Sequence, residues 1–573
     1  LNKALLNLFP VLSWGRTYGL PQFRADAVAG IVVLFITVPQ VIAYAFLAGM
    51  PAEAGLYAAV FSLIGYSLFG SSRALAVGPT AIVGMMTLEA ASVYAAPGSV
   101  EYTQLVVELC VVTGLILIGL RVVNFGSVIS FLSHAVVTGF ISAAAILIIS
   151  NQLPALLGLP SSPDTSMVGV YTYLYDMAPA TNLVVLGVSG GAIFLLIFCR
   201  MQLGPILRKT RLADAVVESL VKSAPMYAVI LGVLTVRLLN LDTGAAVPVV
   251  GEIPSTLPEV SVTLISLASV EKLAPSAFLI AMVIFMESTS IGTAMASKSR
   301  QKIDANQELV GLGSANLGAS LVGGFPVAGS FARSVVNFSS GAVSPVASLI
   351  TALLVLVTLL VFAPAFYSLP KGVLAAIIVT SALQLIDLHA IGKIFSFNRT
   401  DAVTFSFTFL AVLGFGVETG VLAGIAVSFV LLIRSSSKPH IAVVGRVGES
   451  EHFRNINRYD VRTSPNVLAL RIDESLYFVN TRYIETFILN RLADSAEIEH
   501  VLLICTATNF IDTSGLEMLE ELSVNLQEIG VTLHLAEVKS PVMDQLRDTE
   551  FCQNMKGQIF FTTDIAMREL ADI

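Results

Sequence analysis

The string G-G-F-P-V-A-G-S-F-A-R-S-V-V-N at 323–337 puts an arginine, Arg333, in an otherwise apolar stretch, just after backbone too broken to be helix. Gly323, Gly324, Pro326 and Gly329 do not fit inside a regular spanning helix. Non-helical backbone at membrane depth is tolerated only against protein or a water-filled cavity. A short helix starting near Ser330 would aim its free N–H groups and positive dipole end into that cavity, beside the Arg333 guanidinium. Such a site suits an anion. The competing reading puts Arg333 a turn or two from the cytoplasmic surface, to which it snorkels, but intramembrane ionisable residues default to function.

The elements that must hold this segment are apolar. Hydrophobic residues make up 55% of the 573 and charged residues only 13%, a balance foreign to a soluble protein of this length and diagnostic of a polytopic membrane protein. The four cysteines (Cys110, Cys199, Cys505, Cys552) show no metal spacing and the six histidines no cluster, so neither a disulfide framework nor a metal site is expected. The net charge of −8 gathers largely after residue 445 and describes the soluble end. No cleavable signal is visible. Residues 1–22 have an amphipathic look, with Trp14 and Arg16, and read as a helix at the cytoplasmic surface.

Fourteen apolar segments lie between residues 27 and 434. A full crossing needs about 20 apolar residues for about 30 Å of hydrocarbon. The third segment, opening A-V-G-P-T-A at 76–81, and the tenth, opening P-V-A-G-S-F at 326–331, therefore read as half-helices preceded by extended chain. Basic residues follow the even-numbered segments: Arg73, Arg121, then Arg200, Arg208, Lys209 and Arg211, then Lys298, Arg300 and Lys302, then Lys393 and Arg399, then Arg434 and Lys438. The positive-inside rule puts those ends, and both termini, in the cytoplasm of a cell (inner or plasma) membrane. The two broken segments recur seven apart. Seven is odd, so the second half is inverted relative to the first, as in secondary transporters whose substrate sits between inverted repeats.

With these pieces placed, the chain resembles the SulP sulfate-permease family, related to animal multifunctional anion exchangers and prestin. The resemblance rests on V-P-Q-V-I-A-Y-A-F-L-A-G-M-P-A-E-A-G-L-Y at 38–57, V-G-P-T-A at 77–81, D-A-N-Q-E-L-V-G-L-G-S-A-N at 304–316, and the arginine-bearing string above. It implies a polytopic α-helical protein of fourteen spans as seven-plus-seven inverted repeats. A membrane transport domain over 25–436 would follow a cytoplasmic segment over 1–24. Within it, a core domain (spans 1–4 and 8–11) would carry the anion past a gate domain (spans 5–7 and 12–14) by an elevator-like movement, in a homodimer.

Carried over residue by residue, the resemblance places the anion at Gln40, at the backbone of Gly78, Pro79, Thr80 and Ala81, and at Gly329, Ser330, Phe331, Ala332 and Arg333. The Gln40 amide can donate to an oxyanion, or else bond another helix. The Thr80 and Ser330 hydroxyls can do the same, or bond back to the preceding turn. Many members have serine where this chain has Ala332, so one side-chain donor is missing. Glu287, in F-M-E-S-T-S-I-G, occupies the coupling position. A sodium shell would want a hydroxyl residue four places on, where Ile291 stands, and a lone buried carboxyl takes and releases a proton more readily. Proton coupling is the expectation, sodium second, and a plain ion pair with Arg333 the alternative. Glu418, in the loop-like G-F-G-V-E-T-G, is expected to be exposed.

After His440 charged residues become frequent and apolar runs shorten to strand length. Residues 440–573 resemble a cytoplasmic α/β STAS domain, with strands at 467–472, 501–505 and 531–535 and a helix opening at D-T-S-G-L-E-M-L-E-E-L, 512–522. Ser514 matches the serine that bacterial anti-sigma factor antagonists phosphorylate, although D-x-S-G also serves as a plain helix start. No P-loop is present and no enzymatic constellation appears. The expected function is secondary active transport of an inorganic oxyanion, sulfate first, by proton symport. Bicarbonate or dicarboxylate transport, anion exchange and an anion channel are the alternatives. Expected partners are the anion, membrane lipid, a second copy and a cytoplasmic regulator of the STAS domain. No nucleic acid is expected, and no cofactor beyond the coupling proton.

Overall fold

A chain that must hide its backbone polar groups from hydrocarbon can do so locally only as helix. In the computed structural model, which describes residues 10–15, 18–126, 133–210, 214–262 and 265–571, each expected apolar segment holds a helix. They are α1 (Leu20–Leu47), α2 (Ala52–Phe69), α3 (Ala81–Ser92), α4 (Val100–Val122), α5 (His134–Leu156), α6 (Leu183–Phe198) and α7 (Ala224–Leu239). The second set is α8 (Leu267–Ser299), α9 (Ala305–Ser320), α10 (Phe331–Ser339), α11 (Val346–Phe362), α12 (Lys371–Ala382), α13 (Arg399–Phe415) and α14 (Val417–Ser437). Among the described residues, nine helices are long and apolar enough to cross a membrane, or ten with one bent pair counted as a span. The surface helix expected over 1–22 falls largely outside the described residues. Within that stretch Val11–Trp14 forms one helical turn, and α1 already begins at Leu20.

Two short helices stand apart. α3 has 12 residues and α10 has 9, and each is preceded by a two-residue strand, β1 (Val77–Gly78) and β2 (Ala328–Gly329). Around them the helices pack in two groups. In one, α9 lies against α2 and α4, α11 against α1 and α2, and α8 against α4; in the other, α5 lies against α12 and α13, and α12 against α6. α1 joins them through α7 and α12. Small residues permit the closest approaches: a Cβ on Gly65 would stand 2.7 Å from the Ser314 carbonyl oxygen, and one on Gly313 2.9 Å from that of Gly114.

Buried charge in this unit is fully bonded where it is structural. Glu308, on α9, accepts from the Tyr66 hydroxyl (2.8 Å), the Ser71 amide (2.8 Å) and hydroxyl (2.7 Å) and the Ser72 amide (3.2 Å). The chain is thereby held where it turns from α2 towards β1. Asp26 on α1 does the same for the link between α10 and α11, accepting from the Val343 and Ser344 amides and the Ser344 hydroxyl.

Contacts divide the chain into Leu1–Ile425 and Ala426–Ile573, a division that falls within α14. The second unit carries a six-stranded sheet in the order β4-β3-β5-β6-β7-β8. β5 (Val467–Ile472), β6 (His500–Ile504), β7 (Thr532–Ala536) and β8 (Ile559–Phe560) run parallel, with β3 (Ile441–Arg446) and β4 (Phe453–Asn455) antiparallel at one side. Alternating side chains serve two cores. Leu468, Leu470, Leu503 and Leu535 meet α15 (Thr481–Ala493) and α16 (Thr513–Glu528), while Ala469, Leu502 and Ala536 meet Ala566 and Met567 beyond β8. The three expected strands are present within a residue of their limits. The expected helix is α16, whose N-cap Asp512 accepts from the Gly515 amide at 2.8 Å.

His534, buried on β7, accepts from the Gln558 amide at 3.0 Å through Nδ1 and sets Nε2 3.2 Å from His500 Nδ1. Burial, and then the neighbouring His500, push its pKa down to about 4. Unfolded, the ring titrates near its ordinary value of about 6.5, so below that pH the unfolded state binds the extra proton. The second unit should therefore lose stability as pH falls from about 6.5 towards about 4. Hydrogen exchange of the β6 and β7 amides in the full chain, corrected for intrinsic rates, should show that loss, and His534→Gln should flatten it.

Candidate anion site

The two strands cross at the heart of the membrane unit. β1 and β2 are antiparallel, with Val77 opposite Gly329 and Gly78 opposite Ala328, the relation that an inverted pair of segments produces. The crossing is bonded on all sides. The Gly329 amide donates to the Ser288 hydroxyl (2.8 Å), the Ser330 amide to the Ala76 carbonyl (3.0 Å) and the Ala76 amide to the Ser334 hydroxyl (2.9 Å). Asn337 donates to the Ala74 carbonyl at 3.1 Å. Asn316 on α9 donates to the Val327 carbonyl (3.1 Å) and accepts from the Val327 amide (3.0 Å), taking the place of a strand neighbour.

Each strand delivers its chain to a helix start, and both starts are uncapped. Thr80 and Ser330 hold the N-cap positions of α3 and α10 in extended conformation, yet neither side chain caps its helix. Neither hydroxyl bonds back to a preceding turn, and Thr80 Oγ1 is buried without a partner. The first-turn amides, with the positive ends of two dipoles, are therefore left for something else. Gln40, 3% exposed, behaves alike: its Oε1 is buried with no partner, and it makes no helix-to-helix hydrogen bond.

A cavity of about 70 Å³ lies between these groups. Of the expected residues, Gln40, Thr80, Ala81, Ser330, Phe331, Ala332 and Glu287 line it. Gly78, Pro79, Gly329 and Arg333 lie outside that lining. The reason is geometric. The guanidinium turns to the crossing and donates from Nη2 to the Pro79 carbonyl at 2.7 Å. It lies so close to Gly78 that a Cβ there would be 3.0 Å from Nη1. Arg333 is 2% exposed, its Nε has no partner, and it forms no ion pair among the described residues. Glu287, whose Oε2 is buried and unpartnered, is not its salt-bridge partner. A buried cation with one carbonyl bond and no counter-charge is costly alone and favours an anion nearby.

Beyond the apolar Ile82 and Leu385, three polar residues not expected from the sequence line the cavity. Tyr44 stands four residues after Gln40, one turn along the same face of α1, a spacing that could have found it. Ser381 comes from the end of α12 and Gln384 from the 3₁₀ turn that follows it, and neither carried a local mark. A second cavity, of about 370 Å³, shares Gln40, Phe331, Ala332, Ser381 and Gln384 with the first and continues to Arg200 and Lys222. Glu418 is not in an exposed loop. Gly416 alone, at φ +86°, separates α13 from α14, so Glu418 falls in the first turn of α14, half-buried, and accepts from the Ser276 hydroxyl at 3.0 Å. The string G-V-S-G-G at 187–191 fits the hydrolase pattern G-x-S-x-G, but it lies within α6, where no strand-to-helix elbow presents Ser189. Ser514 lies half-buried in the first turn of α16.

Two uncapped half-helices meeting over a strand crossing, inside a multi-helical apolar unit, define a multi-pass membrane transporter of the inverted-repeat class. Residues 23–408 match the sulfate permease family and residues 458–566 the STAS domain, so the chain belongs to the sulfate permease family. It is 31% identical to the probable sulfate transporter 4.2 of Arabidopsis thaliana, over 97% of this chain and 82% of that one. It is also 31% identical to high affinity sulfate transporter 2 of Stylosanthes hamata, over 98% and 86%. Murine Slc26a9, an anion transporter in the inward-facing state, shares the fold with a TM-score of 0.89 at 22% identity, over 99% of this chain and 94% of that one. The transmembrane domain of the cyanobacterial bicarbonate transporter BicA does so with a TM-score of 0.60 at 21% identity, over 72% and 98%.

The crossing depends on Asn316, which alone satisfies both polar groups of Val327. Replacing it by alanine should strand a buried amide and carbonyl and cost about 2–4 kcal/mol. Thermal unfolding in detergent should register the loss, with Asn316→Asp, which keeps the acceptor, falling between.

Proposed function

We propose that the protein is a secondary active transporter of a compact inorganic oxyanion, sulfate first, driven by proton symport. The observation that carries this reading is the pair of uncapped helix starts around one small cavity, backed by the unneutralised charge of Arg333. Donors converge from the first turns of α3 and α10 and from Gln40, Thr80 and Ser330, and no carboxylate but Glu287 faces them. The cavity, of about 70 Å³, has room for a compact anion and continues into the larger one. The sulfate transporters among its relatives make sulfate the first choice.

Glu287 supplies the coupling by charge. When it is ionised, its charge opposes the field that Arg333 exerts from behind the cavity lining, and an entering dianion meets repulsion from the carboxylate. When it is protonated, the Arg333 charge acts unopposed. Proton and anion therefore favour each other's binding, by the same factor in each direction. Sodium is less well served, because Ile291, four residues on, is buried and apolar and offers no oxygen. The carrier cycle in this reading moves the group built from α1–α4 and α8–α11 against the group that includes α5, α6 and α12, exposing the cavity to each side in turn.

Uptake of labelled sulfate into proteoliposomes tests this. Wild type should accumulate sulfate faster under an inward proton gradient, whereas Glu287→Gln should lose the stimulation while keeping gradient-independent flux. No sulfate uptake under any condition would refute the substrate assignment and leave bicarbonate as the next anion to try.

A further inference from the structure

The cavity has a wall that the family motifs do not describe. Its near side is α1, α3 and α10, the far side the end of α12 and the 3₁₀ turn Leu383–Leu385 that follows. A helix C-terminus presents carbonyl oxygens and a partial negative charge, and such a wall repels an anion unless donors stand in front of it. Ser381 and Gln384 stand there.

Their bonding holds both side chains at the cavity wall. Threonine and serine within helices commonly bond back one turn, and Thr380 does so, to the Ala376 carbonyl at 2.8 Å. Ser381, the next residue, makes no such bond among the described residues; its hydroxyl is hydrogen-bonded with that of Tyr44, and the pair of hydroxyls lines the cavity wall together. Gln384 is anchored by one N–H on the Thr380 carbonyl at 3.0 Å, which keeps its second N–H available. Both residues line the small cavity and the larger one that continues to Arg200 and Lys222, so they sit where the two meet. Opposite them is Ala332, a methyl group in the first turn of α10, with no hydrogen to offer.

We propose that Ser381, supported by Gln384, is a specificity-determining residue: it supplies from α12 the side-chain donor that Ala332 lacks, so the oxyanion is held from both helix groups in the conformation described. The inference rests on the transport reading above and adds a consequence to it. Once the two groups move apart, the anion keeps the donors of α1, α3 and α10 and loses Ser381. Affinity is then higher on the face where the larger cavity opens than on the other.

The test is sided transport of sulfate by the full chain in membrane vesicles of both orientations. Ser381→Ala should raise KM roughly tenfold on the face reached past Arg200 and Lys222, the loss of one hydrogen bond to a charged ligand, and leave KM on the opposite face unchanged. Ser381→Thr should keep the wild-type values. Adding Ala332→Ser to Ser381→Ala should restore affinity and abolish the difference between faces, because that hydroxyl travels with the core. Unchanged KM values on both faces, or an equal rise on both, would overturn the proposal. A wild type that moves no sulfate on either face would overturn the substrate reading instead, and the same comparison with the anion it does carry then decides the role of Ser381.

Discussion

Two runs of non-helical backbone lie side by side in the middle of the membrane unit, where water is scarce and an unpaired amide or carbonyl costs several kcal/mol. The rest of the unit is arranged to meet that constraint. Each strand satisfies part of the other through the β1–β2 pairing, and the remainder falls to side chains from three helices: Ser288 on α8, Asn316 on α9, and Ser334 and Asn337 on α10. Only when the crossing is closed do the starts of α3 and α10 become fixed points around a cavity. At the candidate anion site Gln40, Thr80, Glu287 and Arg333 each keep a buried polar atom without a partner.

The same economy governs charge. Glu308 and Asp26 are buried acids with several donors each, and both anchor chain that leads into or out of the broken segments. At the site, the buried Arg333 makes one bond and the half-buried Glu287 keeps its buried Oε2 without a partner. Saturated groups make structure, and undersaturated groups wait for a ligand or a proton. In a single unit, that contrast distinguishes scaffold from site more sharply than burial does.

The broken segments were legible because Gly and Pro act locally: A-V-G-P-T-A and P-V-A-G-S-F announce chain that cannot be helix, and α10 starts one residue past the expected Ser330. A buried charge at this point was legible from Arg333 for the same reason. Where its guanidinium points was not, since that is decided by Gly78 and Pro79, far away in sequence. Ser381 and Gln384 were invisible because a serine and a glutamine at a helix end are ordinary, and only the packing of α12 against α1 makes them wall residues. Glu418 was misplaced because glycine-rich composition suggested a loop where one glycine at positive φ suffices to turn the chain. In the second unit the central strands were readable as short apolar runs. The short edge strands β4 and β8 and the half-exposed helix α15 were not, for they are too short or carry too few apolar residues to stand out.

Arg333 makes one bond to the protein's own backbone and, standing outside the cavity lining, offers the cavity its field. A field attracts any small negative ion and imposes no shape. Discrimination is thereby delegated to the neutral groups on the wall, which can be exchanged one at a time without dismantling the source of attraction or the crossing it braces. An architecture of this kind is open to drift in substrate: the strength of anion capture and the choice of anion are written in separate residues, so one can change across descendants while the other stands still.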